Sequence, residues 1–244
     1  MVHIMFNIES MVAEWKENSR NSFRIVAFGS SNTELFLHSE GRHNWVDWLN
    51  ITLRQHIGRN VSVINQGVCG DTTDELLDRF DRDILPLSPE VVIITIGGND
   101  TSRGFTFEHY YNNLKAICTK CLRNNLLPIL QTYYCPFYEE SPEGFKERFE
   151  SFVAANRSLS NEMELPLIDQ YSQFEPLYSN KRQLYKGMMR DMLHLNHYGN
   201  AVMGTIAARF FRLSDPDMPE DVRDEVMLYL DEIMKHYCTR GKNE

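Results

Sequence analysis

Residues at two distant positions of the chain have the types that nucleophilic catalysis uses. Ser31 follows a short apolar run, and its hydroxyl becomes a nucleophile if a neighbouring base takes its proton. Far along the chain, Asp191 and His194 have the spacing D-x-x-H. A histidine can accept a proton from a serine near neutral pH, and an acid three residues earlier can fix its tautomer. Alternatives are open for both segments: Ser31 and Glu34 match a helix capping box, and D-x-x-H also occurs as a surface pair.

Glycine and polar residues between these segments suit the binding of an anion. Five glycines come just after the carboxyl ends of the first three predicted strands, where open α/β sheets bind ligands: Gly29, Gly67, Gly70, Gly97 and Gly98. Thr72 and Glu75 form a second capping box, so free backbone N–H groups at a helix start are expected beside Gly70. Asn99 follows the third strand, and its amide is a neutral donor suited to an oxyanion. A loop asparagine in a left-handed conformation is the alternative.

Short apolar runs alternate along the chain with segments of helical periodicity. Strands are predicted over residues 23–28, 61–65, 91–96, 126–132 and 165–169. This alternation predicts an α/β fold, with a parallel sheet covered by helices on both faces. We expect one domain over residues 1–244, with a core of about 23–211 and extra helices before the first strand and at 219–236. Residues 133–147 and 178–191 are predicted to be long loops, which often contact substrate.

The composition excludes several classes of partner. The 244-residue chain has a net charge of -9, which disfavours nucleic acid or an anionic membrane as its partner. Its first 18 residues have neither the pattern of a signal peptide nor an apolar run long enough to cross a bilayer, so a cytoplasmic location is expected.

The cysteines and histidines do not indicate a metal or redox centre. Five scattered cysteines are unlike a disulfide framework. Cys118 and Cys121 form a C-x-x-C inside a predicted helix, without the turn or the second pair that a redox or zinc site needs. His194 and His197 lack a third ligand at a recognisable spacing. We therefore expect neither a metal nor a cofactor.

The four polar segments, in this order and spacing, resemble the four sequence blocks of the SGNH (GDSL-like) hydrolase family over about residues 23–211. The resemblance implies a three-layer α/β/α flavodoxin-like sandwich with a five-stranded parallel sheet. It also implies a serine hydrolase in which Ser31 is the nucleophile and Asp191 and His194 complete a catalytic triad. The backbone N–H groups of Ser31 and Gly70, with the Asn99 amide, would form the oxyanion hole.

The first block departs from the family pattern, because Ser30 stands where G-D-S has its aspartate. That aspartate is thought to brace the turn, and a serine can still form a local hydrogen bond. The triad is therefore expected to survive, with Ser31 as the exposed serine by its register against Thr33. The alternative is a ligand-binding protein with the same fold and an inactive site.

The substrate is expected to be a small-molecule ester. Residues 130–140 look like the aromatic loop of carbohydrate acetyl esterases in this family, which favours acetyl esters of a sugar. The alternative for Tyr133, Tyr134 and Phe137 is that they pack beneath the loop. A thioesterase or a lysophospholipase-like acylhydrolase is the second hypothesis for the activity. The helix at 219–236 either packs on the domain or mediates self-association into a homo-oligomer.

Overall fold

Five parallel strands form the central layer of the protein. The computed structural model describes residues 7–34 and 39–240, with only the backbone for residues 236–240. The strands are β1 (Phe23–Gly29), β2 (Val61–Gly67), β3 (Val91–Thr95), β4 (Leu127–Gln131) and β5 (Leu167–Ile168). Their order in the sheet is β2-β1-β3-β4-β5, and every neighbouring pair is parallel. The chain reverses its direction of winding between β1 and β3, so a ligand-binding crevice is expected beyond their carboxyl ends.

Helices cover both faces of this sheet. One face carries α1 (Ile8–Glu17), α2 (Trp45–His56), α7 (Gln170–Asn180), α9 (His197–Phe210) and α10 (Glu220–Arg240). The other face carries α3 (Thr73–Asp83) and α5 (Phe107–Arg123), and the buried apolar residues of α6 (Phe145–Met163) are divided between the two layers. Alternate residues of β1 point into the two layers, with Ile25 and Ala27 on one side and Val26 and Phe28 on the other. The predicted three-layer flavodoxin-like sandwich is confirmed.

The element boundaries differ from the predictions mainly in the last third of the chain. The fifth strand is only the two residues of β5, where residues 165–169 were expected. The predicted loop at 178–191 is wrong in part, because α7 continues to Asn180 and a short helix, α8 (Arg182–Lys186), follows it. Leu177, Tyr178 and Tyr185 are buried while their polar neighbours face outward, so the polar sequence concealed the helices. A further short helix, α4 (Gly98–Ser102), follows β3.

The C-terminal helix packs on the domain. α10 lies against α7 and α9 and buries Val226, Leu230 and Ile233. Leu228, another apolar residue of this helix, is exposed. None of the helices in the described ranges combines the length and hydropathy that crossing a bilayer requires.

Candidate active site

Ser31 lies in a tight turn immediately after β1. The carbonyl of Ser30 accepts hydrogen bonds from the backbone N–H groups of Thr33 and Glu34, both at 2.9 Å. The turn passes directly over the end of β2, where a Cβ on Gly67 would lie 2.2 Å from the Glu34 nitrogen. A side chain at Gly67 would therefore displace the turn, which is why this strand ends in glycine.

The hydroxyl of Ser31 contacts a histidine instead of capping a helix. Its Oγ lies 2.9 Å from Nε2 of His194, which is 163 residues further along the chain. The side chain of Ser31 is almost buried, with 5% of the residue exposed. The next helix described, α2, has Asn44 as its N-cap. The capping-box interpretation of Ser31 is thus not the arrangement in the structure.

Asp191 holds the other side of the His194 ring. Its two carboxylate oxygens both lie 2.9 Å from Nδ1 of His194, and Oδ1 also accepts the backbone N–H groups of Leu193 and His194. Partial burial acts to raise the pKa of Asp191, but these hydrogen bonds outweigh it and hold the pKa well below its usual range. An ionised carboxylate only accepts hydrogen bonds, so Nδ1 carries a hydrogen, and in the neutral ring Nε2 then accepts from Ser31. This is the tautomer that can take the serine proton.

Gly70 and Asn99 lie on the adjoining loops. Gly70 has φ +88°, a left-handed conformation that favours glycine. Asn99, in α4, donates from Nδ2 to the carbonyl of Asp71 at 2.8 Å. A side-chain amide has two hydrogens, so this bond leaves Asn99 a second donor for a ligand. The structure thereby brings the Asn99 amide to the loop of Gly70.

Polar contacts hold the Gly70 loop in place. Arg103 donates to the Gly70 carbonyl at 2.8 Å and pairs with Glu75 at 3.0 Å. The predicted capping box of Thr72 and Glu75 is present at the start of α3. Asp100 is completely buried and accepts from the backbone N–H and the hydroxyl of Thr73. The Gly70 carbonyl is therefore held in place, and with it the plane of the peptide bond between Gly70 and Asp71.

Arg79 is a site-supporting residue that the sequence analysis missed. It is 5% exposed and pairs with Asp71 at 2.7 Å. Its guanidinium also donates to the carbonyls of Gly29 and Gln66, both at 3.0 Å. One side chain thus joins the ends of β1 and β2 to the loop after Gly70. The sequence did contain a signal for this role, because an arginine lies between Leu76 and Phe80 on the apolar face of α3.

Comparison with known proteins agrees with this geometry. Residues 27–202, which include all five predicted site residues, match the GDSL-like lipase/acylhydrolase family. The chain belongs to this family. The family resemblance predicted from the four blocks is confirmed, and the protein is a hydrolase of the GDSL-like class.

Individual GDSL-like relatives are distant. An uncharacterized lipoprotein, YqeF, of Bacillus subtilis (strain 168) is 25% identical, over 62% of this chain and 71% of that protein. A thioesterase 1/protease 1/lysophospholipase L1 of Escherichia coli (strain K12) is 29% identical over 108 residues, 44% of this chain and about half (49%) of that protein. The structure of Axe2, an acetylxylan esterase from Geobacillus stearothermophilus, is similar in fold, with a TM-score of 0.69 at 15% identity over 82% of this chain and 98% of that one. The cytoplasmic location and the homo-oligomer stay predictions.

Ser30, where this GDSL-like chain departs from the family pattern, has a hydrogen-bond partner far along the chain. Ser30 Oγ lies 2.9 Å from the hydroxyl of Tyr133, where a local hydrogen bond was expected. Tyr133, Tyr134 and Phe137 are 3%, 1% and 8% exposed. The aromatic rings after β4 therefore pack beneath the loop, and their faces are not open to a sugar. The sequence analysis did not predict the hydrogen bonds that the hydroxyls of Tyr133 and Tyr134 form.

Four of the five cysteines have described side chains, and none of the hydrogen bonds described for Ser31, His194 and Asp191 involves them. Cys118 and Cys121 lie on the buried face of α5, and burial raises the pKa of both thiols. Cys69 is exposed next to Gly70, and partial burial and the charges of Glu34 and Asp71 raise its pKa. Within the ranges 7–34 and 39–240, no group of three or more potential metal ligands comes together.

A large cavity lies beside α2 and the start of α9. Its volume is about 860 Å³, and its walls include Arg42, His43, Asp47 and Trp48. Glu40 and His197 also line it and pair with each other at 2.6 Å. Three residues of chain span at most about 11 Å, so His197 places this cavity close to His194. The five predicted site residues are not among the residues described as lining it.

Proposed function

We propose that the protein is a serine esterase, in which Ser31, His194 and Asp191 form the catalytic triad. The observation that carries this proposal is the row of contacts from Ser31 Oγ to His194 Nε2 and from His194 Nδ1 to Asp191, each 2.9 Å long. Nucleophile, base and orienting acid are the three parts that acyl transfer to water needs.

In the proposed reaction, Ser31 gives its proton to Nε2 of His194 as Oγ attacks the ester carbonyl carbon. The carbonyl oxygen becomes an oxyanion, which accepts from the backbone N–H groups of Ser31 and Gly70 and from the Asn99 amide. Collapse of this intermediate breaks the ester C–O bond, and the leaving alcohol takes the proton from Nε2. Water then repeats the sequence on the acyl enzyme and releases the acid. The ionised Asp191 stabilises the protonated ring in both halves.

The proposed substrate class is a short-acyl ester, such as an acetyl ester, of a carbohydrate. The cavity beside His197 supports this, because charged and aromatic side chains line it together. Sugar rings combine apolar faces with hydroxyl groups, and the exposed His43 ring, which the buried Trp48 contacts edge-on, offers such a surface.

A thioesterase or lysophospholipase-like activity is the second candidate. The Escherichia coli relative, whose name includes both activities, favours it. Acyl-chain length separates the two candidates, because only the second predicts a preference for long chains.

The test of the triad is hydrolysis of p-nitrophenyl acetate, butyrate and octanoate by the wild type and Ser31→Ala. Acetate turnover should fall by about 1,000-fold or more in Ser31→Ala. Ser151→Ala is the matched control, because Ser151 is half-buried on α6 and its hydroxyl only bonds the Arg148 carbonyl. A fluorophosphonate should label Ser31 in the wild type. Failure to label it would contradict the proposed esterase and favour an inactive, ligand-binding member of the family.

The test of the carbohydrate class compares His43→Ala with His56→Ala on two substrates. His43 lines the cavity, whereas His56 is exposed at the end of α2. His43→Ala should raise KM for an acetylated oligosaccharide by about 10-fold, the loss of one ring contact. It should leave hydrolysis of p-nitrophenyl acetate unchanged. Equal KM values in His43→Ala and His56→Ala would argue against the cavity as the sugar site.

A further inference from the structure

The pairing of Ser31 with His194 depends on two loops from distant parts of the chain. Ser31 lies on the turn after β1, and His194 lies on the loop before α9, 163 residues later. No strand pairing connects these two loops in the described sheet. The hydrogen bonds of the sheet therefore do not by themselves set the 2.9 Å distance between Oγ and Nε2.

Tyr134 supplies such a contact on both sides. Its hydroxyl lies 2.5 Å from Oδ1 of Asn32, the residue after Ser31. The same hydroxyl lies 2.6 Å from the carbonyl of Leu193 and accepts the backbone N–H of Leu195 at 3.2 Å. Leu193 and Leu195 are the two neighbours of His194. The hydroxyl has one hydrogen, which it donates either to Asn32 or to the Leu193 carbonyl, and it accepts the Leu195 N–H in both cases. With the hydrogen donated to Asn32, this one oxygen atom bonds residues adjacent to both Ser31 and His194.

The ring of Tyr134 is rigidly held. Tyr134 follows β4, is 1% exposed, and packs against Tyr133 and Phe174. Burial raises the pKa of its hydroxyl well above the usual value, so the hydroxyl keeps its hydrogen and can donate it. A fixed donor and acceptor at this point can set the separation of the two loops.

We propose that Tyr134 is a positioning residue for the reaction, whose hydroxyl holds the Ser31 turn and the His194 loop at the separation that proton transfer requires. This inference rests on the proposed esterase function. A displacement of about 1 Å between reacting groups can lower a rate about 100-fold. Loss of the hydroxyl should therefore act on the chemical step and leave substrate binding almost unchanged.

The experiment compares Tyr134→Phe with Tyr185→Phe. Tyr185 is equally buried, and its hydroxyl donates to the Cys135 carbonyl, with no described bond to a residue that flanks Ser31 or His194. Tyr134→Phe should lower kcat for p-nitrophenyl acetate and the rate of fluorophosphonate labelling of Ser31 by about 10- to 100-fold, with KM changed less than about 2-fold. Tyr185→Phe should keep both rates. Thermal unfolding of both variants shows that the comparison is made on folded protein.

A second pair of variants separates positioning from a general loss of structure. In a His194→Ala background the proton acceptor is gone, so adding Tyr134→Phe should not lower the residual activity further. Asn32→Ala removes the acceptor on the Ser31 side, and its effect on kcat should not add to that of Tyr134→Phe. Asn32→Ala also tests the contact between Tyr134 and the Ser31 turn if Tyr134→Phe does not fold.

The outcomes distinguish this inference from the proposed function. Wild-type protein that is not labelled at Ser31 would overturn both. Normal labelling of the wild type, with equal labelling rates in Tyr134→Phe and Tyr185→Phe, would overturn the positioning role alone. A further loss of activity when Tyr134→Phe is added to His194→Ala would also overturn it.

Discussion

The hydroxyls of Ser30 and Tyr133 lie 2.9 Å apart, although 103 residues separate them in the chain. Ser30 is 1% exposed and Tyr133 is 3% exposed, so the bond is shielded from water. Burial raises the pKa of Tyr133 to about 12, although the bond to Ser30 acts to lower it. A pair of neutral hydroxyls therefore stands where the family pattern has a carboxylate, and the turn before Ser31 is braced without a buried charge.

This pair predicts coupled effects on stability. Tyr133→Phe leaves the buried Ser30 hydroxyl without this partner, and Ser30→Ala removes one bond of the Tyr133 hydroxyl, which keeps its contacts with Asn32 and the Gly98 backbone. Each change should lower the free energy of unfolding by about 1–3 kcal/mol, with Ser30→Ala at the lower end. The double variant should lose less than the sum by about 0.5 kcal/mol or more, because no hydroxyl of the pair is then left unpaired. Urea unfolding of the four proteins measures this. Strictly additive losses would mean that the two hydroxyls do not stabilise each other.

Much of the fold and the candidate site could be predicted from the sequence. The carboxyl ends of parallel strands meet at one edge of a sheet, so residues after β1 and β3 had to lie near each other. Ser31 and Asn99 follow those strands, and the i,i+3 spacing brings Asp191 to His194. Local spacing and strand order were therefore sufficient to predict the positions of these residues.

The supporting contacts could not be predicted in this way. Tyr134 and Arg79 bond residues that lie 50 or more positions away. Such contacts depend on the packing of whole layers, and neither a period nor a motif encodes them. The aromatic loop shows the same limit: its sequence left open whether the rings of Tyr133 and Phe137 face a substrate or the core, and burial decided it.

Asn99 should matter for turnover more than for binding. Asn99→Ala removes one proposed oxyanion donor, so kcat should fall by about 100- to 1,000-fold while KM changes little. Asn124→Ala is the matched control, because Asn124 also donates from its amide to a backbone carbonyl, that of Lys120, but lies at the end of α5. Steady-state kinetics with p-nitrophenyl acetate measures both. A rise in KM with unchanged kcat would assign Asn99 to ground-state binding.

Glu75 should contribute to stability in a pH-dependent way. Partial burial acts to raise its pKa, but bonds from Thr72 and Arg103 outweigh this and lower the pKa from 4.5 to about 2. The folded state therefore binds the proton less tightly than the unfolded state. The resulting stabilisation is complete above pH 4.5 and is lost as the pH falls to about 2.

The variant Glu75→Gln tests this dependence, because it keeps the size of the side chain and removes its charge. The side chain is 43% exposed, so solvent screening limits the loss at pH 7 to at most about 1 kcal/mol. The difference from wild type should shrink between pH 4.5 and pH 2. Urea unfolding across this range measures it, with Glu147→Gln on the exposed side of α6 as the control. A difference that stayed constant with pH would show that the charge of Glu75 is not the cause.

Arg79 should be the arginine of α3 on which stability depends most. Arg79→Met keeps much of the side-chain volume but leaves the buried Asp71 carboxylate and the carbonyls of Gly29 and Gln66 without this donor. Removing one partner of a buried ion pair costs about 3–5 kcal/mol. Arg82→Met is the control, because Arg82 is 72% exposed and pairs only with Asp83 among the described contacts, a surface pair worth about 1 kcal/mol or less.

The same variant should also affect the proposed reaction. Gly29 precedes the Ser31 turn and Asp71 follows Gly70, so Arg79→Met loosens the nucleophile and the oxyanion loop together. In protein that remains folded, kcat for p-nitrophenyl acetate should fall by about 10-fold or more. Urea unfolding and steady-state kinetics of Arg79→Met and Arg82→Met measure the two effects. If both variants lost the same stability, the buried bonds of Arg79 would be no stronger than a surface pair, and its role in joining β1, β2 and the Gly70 loop would be wrong.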